Sequence, residues 1–382
     1  MSRHDSQVEP RAGHYVRQPG GYRAFIPNPL PPEPPLEYDS DLLLALSEAD
    51  DAVGRLDGAS ETLPNPDLFV AMYVRKEAVL SSQIEGTQSS LEDVLEYEVG
   101  VGPDFLARDV DEVFNYVRAV QHGLARLPEL PLSLRLLREI HAVLLEDVRG
   151  GRREPGEFRR SQNWIGPAGS PLSEAVFVPP PPQEMHQALA NLEQYMREGR
   201  PDLIACGIAH CQFETIHPFL DGNGRLGRLL ITLMLCERGR LRRPLLYLSH
   251  YLRRHRQRYY DSLMDVRDRG DWEGWMKFFL RGVVEVAREG TETARRITQL
   301  QERDRHTVGE KIGGTKRLPL LDLLFQYPYV TARFVESRLG VSYGTANTLL
   351  RNFEAAGILE EVTGRARYRR YRYRAYVDLF AT

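Results

Sequence analysis

The sequence predicts a mainly α-helical protein with one β-hairpin in its middle and a small mixed unit at its C-terminus. Three observations carry this. Apolar residues recur at helical spacing through most of residues 41–300, beginning with Leu42, Leu43, Leu46, Ala49, Val53 and Leu56. Two β-prone runs, Asn163-Trp164-Ile165-Gly166 and Ala175-Val176-Phe177-Val178, flank the turn Pro167-Ala168-Gly169-Ser170-Pro171. Residues 316–382 read as three helices followed by a two-stranded ribbon.

Residues 1–40 hold Pro27, Pro29, Pro31, Pro32, Pro34 and Pro35 among many glycines and charges. That composition predicts an extended or polyproline arm, not a packed element. A helix starts at Asp41. Asn65-Pro66 breaks the chain, and Pro66-Asp67 opens a second helix that runs to about Ile84 and stops at Glu85-Gly86. Ser89, Ser90, Glu92 and Asp93 open a third.

Residues 109–147 form two helices jointed at Pro128 and Pro131, with Val110, Val113, Tyr116 and Val120 on one stripe and Leu134, Leu137, Ile140 and Leu144 on the next. Pro179 to Pro182 close the hairpin region. Helices follow over 185–198 and 203–214, then a buried one to about Arg238, one around 255–266, and a long one over 272–296. The charged stretch continues to about Lys311, and Gly313-Gly314 reads as a linker. In the C-terminal unit the helices are 320–325, 331–339 and 342–356, with strands at 357–359 and 368–373.

The chain has 382 residues, a net charge of -3 and three cysteines, Cys206, Cys211 and Cys236. That length allows two or three domains. The near-neutral charge makes any basic surface a local one. Three cysteines in apolar helical segments argue for a reducing compartment and against a disulfide framework. No apolar signal core opens the chain and no run is long enough to span a bilayer, so the expectation is a cytoplasmic protein without a membrane partner.

The stretch from Ile216 to Arg228 concentrates the chemistry. His217 is followed by an acidic, glycine-rich turn, two arginines and the apolar run Leu229, Leu230, Ile231, Leu233, Met234, Leu235. A glycine-rich turn feeding a helix N-terminus is an anion site, because free N–H groups and the helix dipole both favour negative charge. Arg225 and Arg228 lie three apart and share a helix face. His217 adds a base whose unperturbed pKa, ~6.5, lies near working pH. Asp221 adds a hard-metal ligand or a helix N-cap. Cys206, His210, Cys211 and His217 do not make a zinc site, since Cys211 points away from Cys206 and His210 and His217 lies beyond the helix.

His217-Pro218-Phe219-x-Asp221-Gly222-Asn223-Gly224-Arg225-x-Gly227-Arg228 resembles the signature of the Fic family at every defining position. The resemblance spans roughly residues 20–300. It implies a Fic-type helical core that transfers AMP from ATP to a Ser, Thr or Tyr hydroxyl of a target protein, with self-modification. It implies His217 as catalytic base and Asp221 as the ligand of Mg²⁺. Asn223 would bond the α-phosphate, Arg225 and Arg228 the β- and γ-phosphates, and Phe219 would anchor the loop by packing. The full ATP-binding set is Glu85, His217, Gly222, Asn223, Gly224, Arg225, Leu226, Gly227, Arg228 and Tyr259. Family members with lysine in place of Gly224 act as kinases, so glycine points to AMP transfer.

Ser81-Ser82-Gln83-Ile84-Glu85-Gly86 resembles the family's inhibitory pattern. The resemblance implies that Glu85 pairs with Arg228, that Ser81 steadies the pair, and that Gly86 ends the inhibitory helix. Residues 158–182 resemble the family's flap, which docks a target segment as an added strand.

These resemblances divide the chain into an arm (1–40), an N-terminal helical region with the inhibitory helix (41–108), a Fic catalytic core (109–300) and a winged helix-turn-helix unit (316–382). That last unit carries eleven Lys/Arg against six Asp/Glu. Arg365, Arg367, Arg369, Arg370, Arg372 and Arg374 cluster on the wing, with Arg370, Arg372 and Arg374 on one strand face and Tyr371 and Tyr373 on the other. DNA is one partner this unit suits, and protein contact or a homodimer is another. Two alternatives to AMP transfer stay open: a DNA-binding regulator with a nucleotide-sensing core, and a hydrolase that removes AMP with Glu85 positioning water.

Overall fold

The computed structural model describes residues 11–61, 63, 65–99, 107–146, 154–167, 169–199 and 202–380. Expectations that touch residues 1–10, the hairpin tip Ala168, and the stretches 100–106 and 147–153 lie outside them.

Over its described residues the arm is extended as expected but, against expectation, it is packed. β1 (Gly13–Arg17) and β2 (Arg23–Pro27) pair antiparallel, with Gly13 opposite Pro27 and Arg17 opposite Arg23. Ala24 and Phe25 are fully buried, and the Phe25 N–H donates to the Val178 carbonyl (2.9 Å). The dense run of prolines, Pro27 to Pro35, begins only at the end of β2. The composition of 1–40 as a whole therefore hid a short run of alternating residues upstream of them.

α1 (Ser40–Glu61) and α2 (Pro66–Ile84) follow, with Pro66 in the first turn of α2, where its missing N–H costs nothing. α3 (Leu91–Glu98) starts with a capping box: the Asp93 N–H donates to Ser90 Oγ and the Ser90 N–H to Asp93 Oδ2. α4 (Ala107–Arg126) and α5 (Leu134–Leu144) pack together, and Ser133 caps α5. The flap is a looser hairpin than expected. It holds one β-bridge, Ile165 with Phe177, and a 3-10 turn at Leu172–Glu174.

Pro182, expected only to end the flap, also opens α6 (Pro182–Arg197). α7 (Asp202–Ile216) is buried at every residue from Leu203 to Ile216, polar His210, Gln212, Glu214 and Thr215 included, and forms the centre of the core. α8 (Asn223–Glu237) lies against it. The helix expected near 255–266 is α10 (Arg256–Arg269), and a short helix that was not expected, α9 (Ser249–Arg254), precedes it across a break at His255. α11 (Trp272–Lys311) is one helix of 40 residues. Its charged second half hid a buried stripe: Ile297, Leu300, Asp304 and Val308 keep the three-to-four spacing.

The C-terminal residues form α12 (Arg317–Gln326), β3 (Tyr329–Thr331), α13 (Ala332–Leu339), α14 (Tyr343–Ala355), β4 (Glu360–Glu361), β5 (Arg370–Arg372) and α15 (Arg374–Val377). The sheet order is β3-β5-β4, so the expected ribbon gains a third strand. Arg374, expected on the strand, begins α15 instead. Tyr371 and Tyr373 are fully buried, and Tyr373 OH donates to Asp304 on α11. Arg370 pairs with Glu96 (2.6 Å) and Arg372 with Glu92 (3.0 Å), both on α3. Among the described residues no helix is long and apolar enough to cross a membrane.

Candidate active site

α7 ends at Ile216 and the chain turns sharply. His217 takes a left-handed backbone (φ 49°) directly before Pro218, a conformation that costs a non-glycine residue on the order of 1 kcal/mol or more and persists only where the surroundings enforce it. Arg159 and Asn163 enforce it. Arg159 Nε donates to the His217 carbonyl (3.0 Å), and Asn163 Nδ2 donates to the carbonyls of His217 (3.2 Å) and Phe219 (2.9 Å). Arg159 is fully buried and also donates to the carbonyls of Ile216 and Pro180. The first strand of the flap is thereby sewn to the loop.

The loop is closed from inside by Asn223. Its Oδ1 accepts from the Phe219 N–H and its Nδ2 donates to the Phe219 carbonyl, both at 2.8 Å. The amide expected on the α-phosphate is thus committed to the loop backbone. Gly222 precedes α8 in the left-handed region (φ 76°), which glycine reaches without a Cβ clash. Leu226 donates the first helical bond, to Gly222 O (3.0 Å). The N–H groups of Asn223, Gly224 and Arg225 precede it and form the anion-facing end. Leu226 is fully buried, so neither its side chain nor its N–H faces the loop's open side.

His141 on α5 supports this loop, and no motif announced it. Its ring stacks on Phe219 at 3.7 Å and 14°. Gly156 N–H donates to Nδ1 (2.8 Å), so Nε2 carries the proton toward the Asp221 carbonyl (3.0 Å). Burial pushes His141 down to about 4, consistent with a neutral ring in this tautomer.

Both motif arginines are buried and engaged. Arg225 lies 3.4 Å from Glu112 of α4 and 3.8 Å from Asp221. Arg228 donates from Nε to Ser81 Oγ (2.8 Å), and from Nη2 to the Ser81 carbonyl (2.9 Å) and to Glu85 Oε1 (2.8 Å). Ser81 therefore holds the guanidinium. The sequence anticipated only Arg228 as occupied; Glu112, outside any motif, accounts for Arg225. Burial raises the Glu85 carboxyl, but Arg228, Arg225 and His217 together hold it below the usual carboxylate range. Glu85 is 39 % exposed while Arg228 is 1 % exposed, so the pair opens from the carboxylate's side. A Cβ at Gly224 would lie 2.2 Å from Glu85 Oε1. The glycine that distinguishes the motif also leaves room for the carboxylate.

His217 is pushed down to about 4, mainly by burial and further by Arg267 and Arg159, while Glu85 acts in the opposite direction. Its Nδ1 has no hydrogen-bond partner among the described residues. The ring is therefore neutral at working pH. Glu214, one turn before His217, is buried and raised to about 7 by that burial. Its Oε1 also has no hydrogen-bond partner among the described residues, and it sits where a Cβ at Gly227 would be, 2.4 Å away.

Tyr259 is buried, and its OH bonds His210 Nε2 (2.9 Å). Its hydroxyl and that of the exposed neighbour Tyr260 both feel the charges of Glu85 and Arg228. Asp221 accepts from the Gly222 N–H (2.7 Å), and among the described residues no group of three His, Cys, Asp or Glu is placed to hold a metal.

Residues 43–125 match the Fic/DOC family N-terminal domain and residues 131–235 the Fic/DOC family domain itself. The chain thus carries both Fic/DOC family domains. A curated relative, protein adenylyltransferase Fic of Aedes aegypti, is 28% identical over 291 residues, which is 72% of this chain and 54% of that protein. A probable protein adenylyltransferase of Aquifex aeolicus is 33% identical over 207 residues, covering 52% of this chain and 57% of the relative. The chain thus spans about half the length of these curated relatives. A Fic family protein from Desulfovibrio desulfuricans has a similar fold, with a TM-score of 0.58 at 23% identity, covering 89% of this chain and 97% of that one. Fic-1 (residues 134–508) of C. elegans gives 0.50 at 21% identity over 68% of this chain and 73% of its own.

Proposed function

We propose that this Fic protein transfers AMP from ATP to a Ser, Thr or Tyr hydroxyl of a protein, itself included, and that Glu85 holds it in check. The observation that carries the reading is the Ser81–Arg228–Glu85 contact together with a half-buried, neutral His217. His217 takes the proton of the attacking hydroxyl, whose oxygen bonds the α-phosphorus as pyrophosphate leaves. The N–H groups of Asn223, Gly224 and Arg225 face the α-phosphate, replacing the Asn223 amide in that role. Arg225 and Arg228 take the outer phosphates once Glu112 and Glu85 share or release them.

Asp221 supplies a single, part-exposed carboxylate, which suits Mg²⁺, an ion that keeps several waters and uses substrate phosphates as ligands. When bound there, Mg²⁺ would neutralise polyphosphate charge. The relatives' names, protein adenylyltransferase, agree with this reading.

Glu85→Gly is expected to raise incorporation of α-labelled ATP into the chain and into lysate proteins. His217→Ala in the same background is expected to lower it by about 10²–10⁴-fold, the usual worth of a general base. Persistent labelling in the double variant, or none in Glu85→Gly, removes the assignment.

A further inference from the structure

A second cleft lies far from His217, between α14 and the loop joining β4 to β5. Its volume is about 540 Å³. Arg333, Arg351, Arg365, Arg367, Arg369 and Arg370 line it, and none of the described lining residues is acidic. Of these, Arg370 is paired with Glu96. Arg333, Arg351, Arg365 and Arg367 make no ion pair among the described residues and are exposed. Arg369 feels Glu354 and Glu361, so counter-charges are few beside six arginines, and like charges gathered in this way favour a polyanion. The rim is completed by Tyr343 and Tyr368, at 48% and 73% exposure among the most open aromatic rings in the structure.

The backbone narrows the polyanion to one class. α13 ends at Gly340 in the left-handed region (φ 63°), and Ser342 caps α14 by accepting the Thr345 N–H (3.2 Å). α14 buries Ala346, Leu349, Leu350 and Phe353 and leaves Tyr343, Thr345, Thr348 and Arg351 outward. Its first turns thus present hydroxyl and guanidinium groups on a helix whose outer face is free. A helix of this kind enters the ~12 Å major groove of B-form DNA, with the flanking loop on the phosphates. The deep, narrow major groove of duplex RNA excludes it.

We propose that this cleft is a binding surface for double-stranded DNA, with α14 in the major groove and Arg365 and Arg367 on the phosphate backbone. This surface stands on its own charges and geometry and does not depend on AMP transfer.

The test uses the full chain and a fluorescein-labelled mixed-sequence DNA duplex of about 30 base pairs, read by anisotropy at about 50 and 200 mM salt. Wild type is expected to bind with affinity that falls with salt. The combined variant Arg351→Ala, Arg365→Ala, Arg367→Ala is expected to bind at least about tenfold more weakly, with the salt slope reduced by about 3. Arg55→Ala, Arg135→Ala, Arg197→Ala removes the same charge from exposed arginines of α1, α5 and α6 and is expected to bind as wild type. Circular dichroism melting of both variants checks that they fold. No binding by wild type, equal loss in both variants, or tighter binding of duplex RNA or single-stranded DNA of the same length overturns the proposal.

Discussion

Arg228 shows how much one buried side chain is asked to do. A guanidinium that is 1 % exposed needs partners for its donors, and here Ser81 supplies two and Glu85 one. Ser81→Ala leaves the Nε donor without an acceptor in a buried place, a loss of about 1–3 kcal/mol. Thermal melting is expected to drop by a few degrees, and AMP transfer to rise by less than in Glu85→Gly because the carboxylate remains. Equal activation by both substitutions would place the restraint in Ser81 instead.

His217 makes a different prediction. Its folded pKa lies below that of a free imidazole, so the neutral base is fully present at pH 7 and is lost only as pH falls toward about 4. For Glu85→Gly, kcat/KM for ATP is therefore expected to stay flat from about pH 8 to about pH 6, where an ordinary histidine titrates. Removing Glu85 takes away the larger of the two influences that raise His217, the other being a hydrogen bond with the Glu214 backbone, and this widens the flat region. A fall centred near pH ~6.5 would mean that the ring is solvated.

Among the elements, α2 and the flap divide the work at the motif loop. On α2, Glu77, Ser81 and Glu85 recur every fourth residue on one face. Glu77 accepts from Tyr116 and Ser249, and the next two meet Arg228. That spacing is visible in the sequence, which is why the contact with Arg228 was legible there. The supports of the loop were not. His141, Arg159, Asn163, Glu112 and Glu214 are single residues dispersed over more than one element, and each acts through tertiary contact rather than a local pattern.

For a related reason the sequence does not say which ring of the aromatic pair Tyr259 and Tyr260 faces inward; the structure buries Tyr259. Arg159→Ala tests the flap's attachment. Several buried carbonyls of the loop and flap lose their donor together, so a loss of roughly 3–5 kcal/mol is expected. Limited proteolysis is expected to cut within 158–180 before the rest of the chain, and a cleavage pattern unchanged from wild type would show that other contacts hold the flap.

Across the whole molecule, the helical core was legible because its periodicity is long and strong. Elements fixed by distant partners were less so. β3 spans three residues and exists as a strand because β5 lies beside it. The second half of α11 stays buried because the C-terminal unit covers it. The wing arginines, read from sequence as one basic face, divide into two sets. Arg370 and Arg372 turn to α3, while Arg365 and Arg367 stay outward.

The pairs to α3 reach the helix that follows the inhibitory turn. Glu96→Arg is expected to loosen α3, at a cost of roughly 1 kcal/mol for a partly exposed pair, and to raise AMP transfer modestly. Arg370→Glu in the same chain is expected to restore the wild-type rate. Failure of the swapped pair to restore it would separate the C-terminal unit from control of α2.

The contact between α2 and α8 also has an order in time. Ser81 and Glu85 precede Arg228 by 147 and 143 residues. A ribosome therefore completes the blocking helix long before it makes the arginine that this helix blocks. As α8 folds onto α7, its guanidinium meets partners already waiting in the same chain, at a local concentration no separate inhibitor could match. On the proposed reading, no interval of synthesis exposes an unrestrained site, and any active period has to be created afterwards by whatever draws Glu85 away.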